Sequence, residues 1–163
     1  MRNVKKLILG VTACLCVNST VLAYPAEIDG FNNMRWSTPI QYMTDIKYLG
    51  KDMGFTYYNT DMSHHDGIPV SGAQVVFLEG QLVEVNFKTN FANGYSLMNK
   101  LVGKHGKPID HPKYKNFSYW VGDSTIISGH KLHDGVLFTF RSRQLIEKQI
   151  KLEGGSLSEV YPH

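Results

Sequence analysis

Apolar and polar residues alternate along residues 81–88. Val83, Val85 and Phe87 fall on one parity, and Glu84, Asn86 and Lys88 on the other. This period-two pattern predicts a strand with one solvated face. An apolar run over 70–78 precedes it, and Glu79-Gly80 between the two predicts a hairpin. Three more strands are predicted at 116–121, 124–130 and 135–141, with Gly122-Asp123 and Asp134-Gly135 as turns. Phe55-Thr56-Tyr57-Tyr58 reads as a further short strand. The period changes at 93–105, where Leu97, Met98, Leu101, Val102 and His105 make a helical stripe. Lys100 and Lys104 favour the negative end of that helix, and Gly106 and Pro108 stop it. Gly103 costs it about 1 kcal/mol relative to Ala, unless close packing requires the glycine.

Two segments carry weaker periodicity. Ser37-Thr38-Pro39 is a helix-start signature, and Ile40, Met43 and Ile46 follow at near-helical spacing, with Gly50 as the exit. Residues 142–153 suit a helix through Leu145, Ile146, Ile150 and the Glu147–Lys151 pair. The shared parity of Ile146, Ile150 and Leu152 suits a strand equally. The order of elements predicts an α+β fold, a single two-layer domain with an antiparallel sheet and helices packed on one face. A weak internal duplication is suggested by Ile40 to Gly50 and Ser96 to Gly106, equal-length segments each read as a short helix followed by Gly-Lys and strands.

Residues 1–23 alter this picture. Arg2, Lys5 and Lys6 precede an apolar run from Leu7 to Val17, and Val21-Leu22-Ala23 provides a small-residue cleavage site. This is the order of a secretory signal peptide, so 24–163 is read as the exported domain. Val11-Thr12-Ala13-Cys14 also reads as a lipobox, which would make the chain a lipoprotein at Cys14. The leader holds no acidic residue, so the formal net charge of +3 resides in it and the remainder is balanced. A polybasic nucleic-acid binder is thereby disfavoured. Cys14 and Cys16 are the only cysteines, so a chain cut after Ala23 has no disulfide and no thiolate. Every aromatic residue lies beyond the leader.

Phe31-Asn32-Asn33-Met34-Arg35-Trp36-Ser37-Thr38-Pro39-Ile40, with Gly103-Lys104-His105-Gly106-Lys107-Pro108 and Tyr119-Trp120, resembles a set of small exported bacterial proteins. In these a Phe–Trp–(Gly/Ser)–Thr motif opens the mature domain, and a helix, a Gly-x-Pro and an aromatic-Trp strand follow. The resemblance covers most of 28–141 and implies compartment and fold. Ser37 stands where Gly is often found. The helix-then-sheet plan is also similar to small envelope modules that bind other proteins, including outer-membrane assembly lipoproteins and inhibitor folds.

Two constellations could carry chemistry. His64-His65-Asp66-Gly67 and His130-Lys131-Leu132-His133-Asp134-Gly135 both end in His-Asp-Gly. If the loops met, His64 or His65 with His130, His133 and Asp134 could hold zinc. Against this, Asp-Gly is hairpin chemistry and His tolerates exposed turns. Tyr57-Tyr58 and Tyr119-Trp120 put one ring on each side of a strand, so Tyr58, Tyr119 and Trp120 are candidates for an open aromatic sheet face. Nucleophile elbows, H-E-x-x-H and Walker loops are absent, which leaves a small hydrolase as the weakest reading. The expectation is a non-catalytic periplasmic or envelope protein. It would bind a protein or envelope component, with no nucleic-acid partner and no membrane span after leader removal; a zinc-binding protein is the alternative.

Overall fold

The computed structural model describes residues 29–162. The leader, its cleavage site and the lipobox lie outside the described residues. The short pair β1 (Gly30–Phe31) and β2 (Met34–Arg35) leads into a 3-10 turn over Ile40–Tyr42. Then come β3 (Ile46–Asp52), β4 (Phe55–Thr60), the small hairpin β5 (His64–His65) and β6 (Ile68–Pro69), β7 (Ser71–Leu78) and β8 (Gln81–Thr89). Helix α1 (Phe91–His105) is followed by β9 (Ile109–Asp110), β10 (Phe117–Val121), β11 (Thr125–Lys131) and β12 (Val136–Ser142), and the chain closes with α2 (Arg143–Leu152) and α3 (Leu157–Val160).

Eight strands form one antiparallel sheet in the order β3-β4-β7-β8-β12-β11-β10-β9. It consists of two meanders whose last strands, β8 and β12, pair with each other. The tight turns follow local backbone chemistry. Met53-Gly54, Asp66-Gly67 and Glu79-Gly80 each place two consecutive residues at positive φ, the requirement of the two-residue turn that matches strand twist. Both edges are blunted against further pairing. Strand β9 has two residues, and β3 carries Lys47, Lys51 and a bulge between Tyr48 and Gly50.

Alternation sorts the side chains onto two faces. One face carries Val75, Phe77, Val85, Phe87, Trp120, Ile127, Phe138 and Phe140, packed beneath Leu97 and Leu101 of α1. Phe31 and Trp36 from the amino-terminal segment close the same core. The phenylalanines meet at 5.9 Å (Phe87–Phe138 and Phe87–Phe140) and 4.9 Å (Phe31–Phe140) between ring centroids. Each fully buried ring contributes about 1.5–3 kcal/mol. The opposite face carries Tyr119 and Ile126 under Leu157 and Tyr161 of the carboxy-terminal segment. Helices therefore do not lie on one face only, which corrects that part of the expected architecture; α+β with an antiparallel sheet holds. Among the described residues, no helix is long and apolar enough to cross a membrane.

The helix expected from Pro39 onward is replaced by the 3-10 turn and β3. Residues 37–40 spend their backbone groups on the start of β8: Ser37 N–H donates to the Leu82 carbonyl, Leu82 N–H to Thr38, and Ile40 N–H to Gly80. The segment is thus captured as an extended strip, and β-favouring Ile46 and Tyr48 continue into a hairpin through Met53-Gly54. The equal-length segments 40–50 and 96–106 consequently share no helix. The ambiguous tail is helical, because Ser142 caps it by accepting from Leu145 N–H and Glu147 pairs with Lys151 at 3.2 Å.

The two glycines of α1 separate cleanly. A Cβ on Gly94 would lie 2.6 Å from Val136 Cγ2 and 2.9 Å from Thr89 Oγ1, whereas one on Gly103 meets nothing within 4 Å. Gly103→Ala should raise stability by about 0.5–1 kcal/mol, and Gly94→Ala should lower it by about 1–3 kcal/mol despite the same gain in helix propensity. Urea denaturation of the two variants, and the sign of each shift, checks this.

Candidate functional site

Tyr119 and Trp120 are both buried. The Trp120 ring enters the α1 side, and its indole N–H donates to the Gly106 carbonyl at 2.8 Å, tying the end of α1 to the sheet. Tyr119 points the other way, edge-on to Tyr161 with centroids 5.2 Å apart, and its hydroxyl donates to the Pro162 carbonyl. Burial raises the Tyr119 pKa above its ordinary value, with Tyr161 adding to the shift. Tyr58 is half-buried at the edge of the core, with Tyr48 and Phe77 edge-on at 5.6 Å. Neither Tyr119 nor Trp120 offers an open aromatic surface, because α1 covers one side of β10 and the carboxy-terminal segment covers the other.

The two His-Asp-Gly motifs sit in different surroundings, one packed on the core and the other in an exposed turn. His65 is buried on the α1 side, stacked on Phe31 with centroids 4.7 Å apart and hydrogen-bonded through Nδ1 to Asn32 Oδ1 at 3.0 Å. Asp66 is held by Lys104 at 2.7 Å, and Lys100 donates to its carbonyl at 2.7 Å, so the motif clips the β5–β6 hairpin to α1. His130 is on the opposite face beside Phe117, while His133 and Asp134 occupy the exposed β11–β12 turn. Asp134 bridges Lys88 at 3.6 Å. Among the described residues, no three His, Cys, Asp or Glu side chains form a group able to hold a metal ion. The expected zinc group is therefore not assembled among the described residues: His65 is buried against Phe31, His130 lies beside Phe117, and His133 and Asp134 stand in an exposed turn. Ser63 Oγ lies 3.1 Å from His64 Nδ1, but the pair is exposed and no carboxylate orients the ring.

The opposite face holds a different site. A cleft of about 440 Å³ opens between the 111–115 loop, β10–β12 and the carboxy-terminal segment. Its floor includes His130 and Arg141, its loop wall Lys113, Tyr114 and Lys115, and its far wall Val160 and Tyr161. Among the described residues, no acidic one lines it. The loop wall is organised by His111, whose Nδ1 accepts from the N–H groups of Lys113 (3.1 Å) and Tyr114 (3.2 Å). That assignment leaves the ring proton on Nε2, which donates to the Val160 carbonyl at 3.3 Å. One imidazole thus joins the loop to the carboxy-terminal segment. Lys113 Nζ sits 5.7 Å from the centre of the Tyr114 ring.

Arg141 is fixed from two directions. Its Nε donates to Glu84 Oε2 at 2.6 Å, across the β8–β12 pairing, and an Nη1 proton goes to the Tyr161 hydroxyl at 2.6 Å. Asn86 also donates to Glu84, at 3.0 Å. Burial works against the guanidinium charge, but Glu84 and Tyr161 more than offset it, so the Arg141 pKa stands above its ordinary value. Tyr57, on the same face, is pushed up by burial and by the Glu84 carboxylate. The cleft therefore pairs an immobilised cation with two exposed lysines over an aromatic wall, the makings of an anion site with an apolar flank. His111, Arg141 and the lysines carry no motif; Arg141 reads in sequence only as the polar partner of an alternating strand. Comparison with known proteins adds no relative: no protein-family model, no curated protein and no solved structure matches this chain.

Two stability predictions follow from these contacts. Glu84→Ala leaves a half-buried guanidinium without its carboxylate and should cost about 1.5–3 kcal/mol, while Tyr161→Phe removes one hydrogen bond and should cost about 1 kcal/mol. Urea midpoints rank the two, and equal losses would show that Glu84 does not anchor Arg141. For His65, burial lowers the pKa below its ordinary 6.5, opposed by Asp66 and aided by Lys104 and Lys100. The unfolded chain then binds the proton first as pH falls, so His65's contribution is complete above about pH 6.5 and is lost below it. The thermal midpoint should drop between about pH 7.5 and about pH 5.5. That drop should shrink in His65→Phe; an unchanged pH profile would remove His65 as its source.

Proposed function

We propose that the chain is an exported, non-catalytic binding protein that engages an envelope component through the cleft on the sheet face opposite α1. The order of residues 1–23 supports export, and the cysteine-free sequence beyond them suits an extracytoplasmic domain held by its core alone. The observation that carries the binding reading is the cleft itself. It combines a hydrogen-bonded Arg141, two exposed lysines and three aromatic walls (Tyr114, Phe117 and Tyr161), with no acid lining it among the described residues. Such a surface offers charge and apolar area to a partner, and it lacks an oriented nucleophile and base.

The test has two arms. Fractionation and intact-mass measurement should find the chain outside the cytoplasm, beginning at Tyr24; a full-length cytosolic product would overturn export. Protein immobilised against the host's solubilised envelope fraction should retain a component that Lys113→Glu/Lys115→Glu does not retain. Both substitutions are on exposed loop positions, so the fold survives them. Equal retention by the two proteins, or none by either, would overturn binding through the cleft.

A further inference from the structure

The charges around the cleft specify more than an interaction with some anion. Arg141 is already matched by Glu84, which contacts its Nε at 2.6 Å from outside the cleft lining. Among the described residues neither Lys113 nor Lys115 has an acidic partner, so the charge left to a ligand is theirs, two positive charges on one short loop. A monocarboxylate would neutralise one of them. A phosphomonoester carries about −1.5 to −2 at neutral pH and matches both. The donors also come from separate elements: the lysines from the loop, His130 from β11 and Arg141 from β12. Donors distributed over three elements around one cleft suit a tetrahedral oxyanion, which accepts from several directions, better than a planar one.

The rest of the lining is apolar or aromatic. Phe117, Tyr114, Val160 and Tyr161 supply surface that a bare ion cannot use, and about 440 Å³ is far more than a phosphate ion fills. We infer that the cleft binds a phosphoryl group carried on an apolar or ring-bearing body, with the phosphoryl group at Lys113, Lys115 and Arg141 and the body against Tyr114 and Phe117. This rests on the proposal that the cleft is the binding surface, and it names the ligand chemistry of that site. Such a group occurs on a soluble aromatic or alkyl phosphate and on the phosphomonoester headgroup of phosphatidic acid, and the two sources separate by experiment.

Calorimetric titration with phenyl phosphate, inorganic phosphate and benzoate, and sedimentation with phosphatidylcholine vesicles containing phosphatidic acid, whose headgroup is a phosphomonoester, provide the probes. Phenyl phosphate should bind at least about tenfold more tightly than inorganic phosphate or benzoate, the first difference reporting the ring and the second the extra charge. Lys113→Ala/Lys115→Ala should weaken it by about tenfold or more, and added salt should weaken the wild type because both lysines are exposed. Binding to vesicles that disappears in the double variant assigns the lipid source; binding of phenyl phosphate without vesicle binding assigns the soluble one. Three results overturn the inference: neither probe binds, the double variant binds as well as wild type, or inorganic phosphate matches phenyl phosphate. If neither probe binds while an envelope component is still retained through the two lysines, only the ligand chemistry falls and the binding reading stands.

Discussion

The antiparallel seam between β8 and β12 is the contact on which the rest of the molecule depends. It joins two meanders that would otherwise be separate four-stranded sheets, and its register sets opposite duties on its two sides. On one side Phe87 faces Phe138 and Val85 faces Phe140, the centre of the core under α1. On the other, Arg141 faces Glu84 and Thr139 faces Asn86. A slip of one residue would drive an ion pair into the aromatic core and expose the phenylalanines, so the seam is specified far more strongly than its hydrogen bonds alone require.

Much of this was legible in sequence because a strand buried on one face writes its pattern directly. The alternation of Val85 and Phe87 with Glu84, Asn86 and Lys88 located β8, and Val136, Phe138 and Phe140 located β12. Glu79-Gly80 and Asp134-Gly135 marked their hairpins correctly. The failure at 39–50 has a physical origin: Ser-Thr-Pro is good helix-starting chemistry, but β8 offered free backbone groups at Gly80 and Leu82, and residues 37–40 took them. Pairing over forty residues away in sequence outweighed local propensity, and no pattern within the segment records that competition. The placement of helices on both faces was hidden for a similar reason, because it depends on where the chain turns after Ser142.

The site was much less legible. The paired His-Asp-Gly motifs drew attention because imidazole and carboxylate recur in them, yet each is spent locally. Asp66-Gly67 makes a turn, His65 fills a core position against Phe31, and Lys104 neutralises Asp66. Proximity in motif said nothing about side of sheet. His65 belongs to the separate β5–β6 hairpin, which folds over Phe31, Phe87 and Phe140 on the α1 face, whereas His130 pairs opposite Phe117 in the main sheet, on its other face. The aromatics misled in the same way. A ring on each side of β10 looked like surplus surface, but both sides of that strand are covered, by the end of α1 at Trp120 and by Tyr161 at Tyr119.

What remains open on the second face is shaped by the segment that covers part of it. Leu157 and Tyr161 seal Tyr119 and Ile126, and in doing so they raise the wall of the cleft beside Arg141. The same tyrosine hydroxyl that secures the carboxy-terminal segment also holds the guanidinium, while His111 ties that segment to the lysine-bearing loop. Arg141 thus has its orientation already fixed and little conformational entropy left to lose, whereas Lys113 and Lys115 are exposed to solvent. In the proposed anion site, a fixed cation at the floor with exposed cations at the rim would divide the work, the floor setting where an anion sits and the rim how strongly it is drawn in. That division makes the cleft a consequence of the fold, since the register that buries Phe87 and Phe138 also delivers Arg141 to its floor.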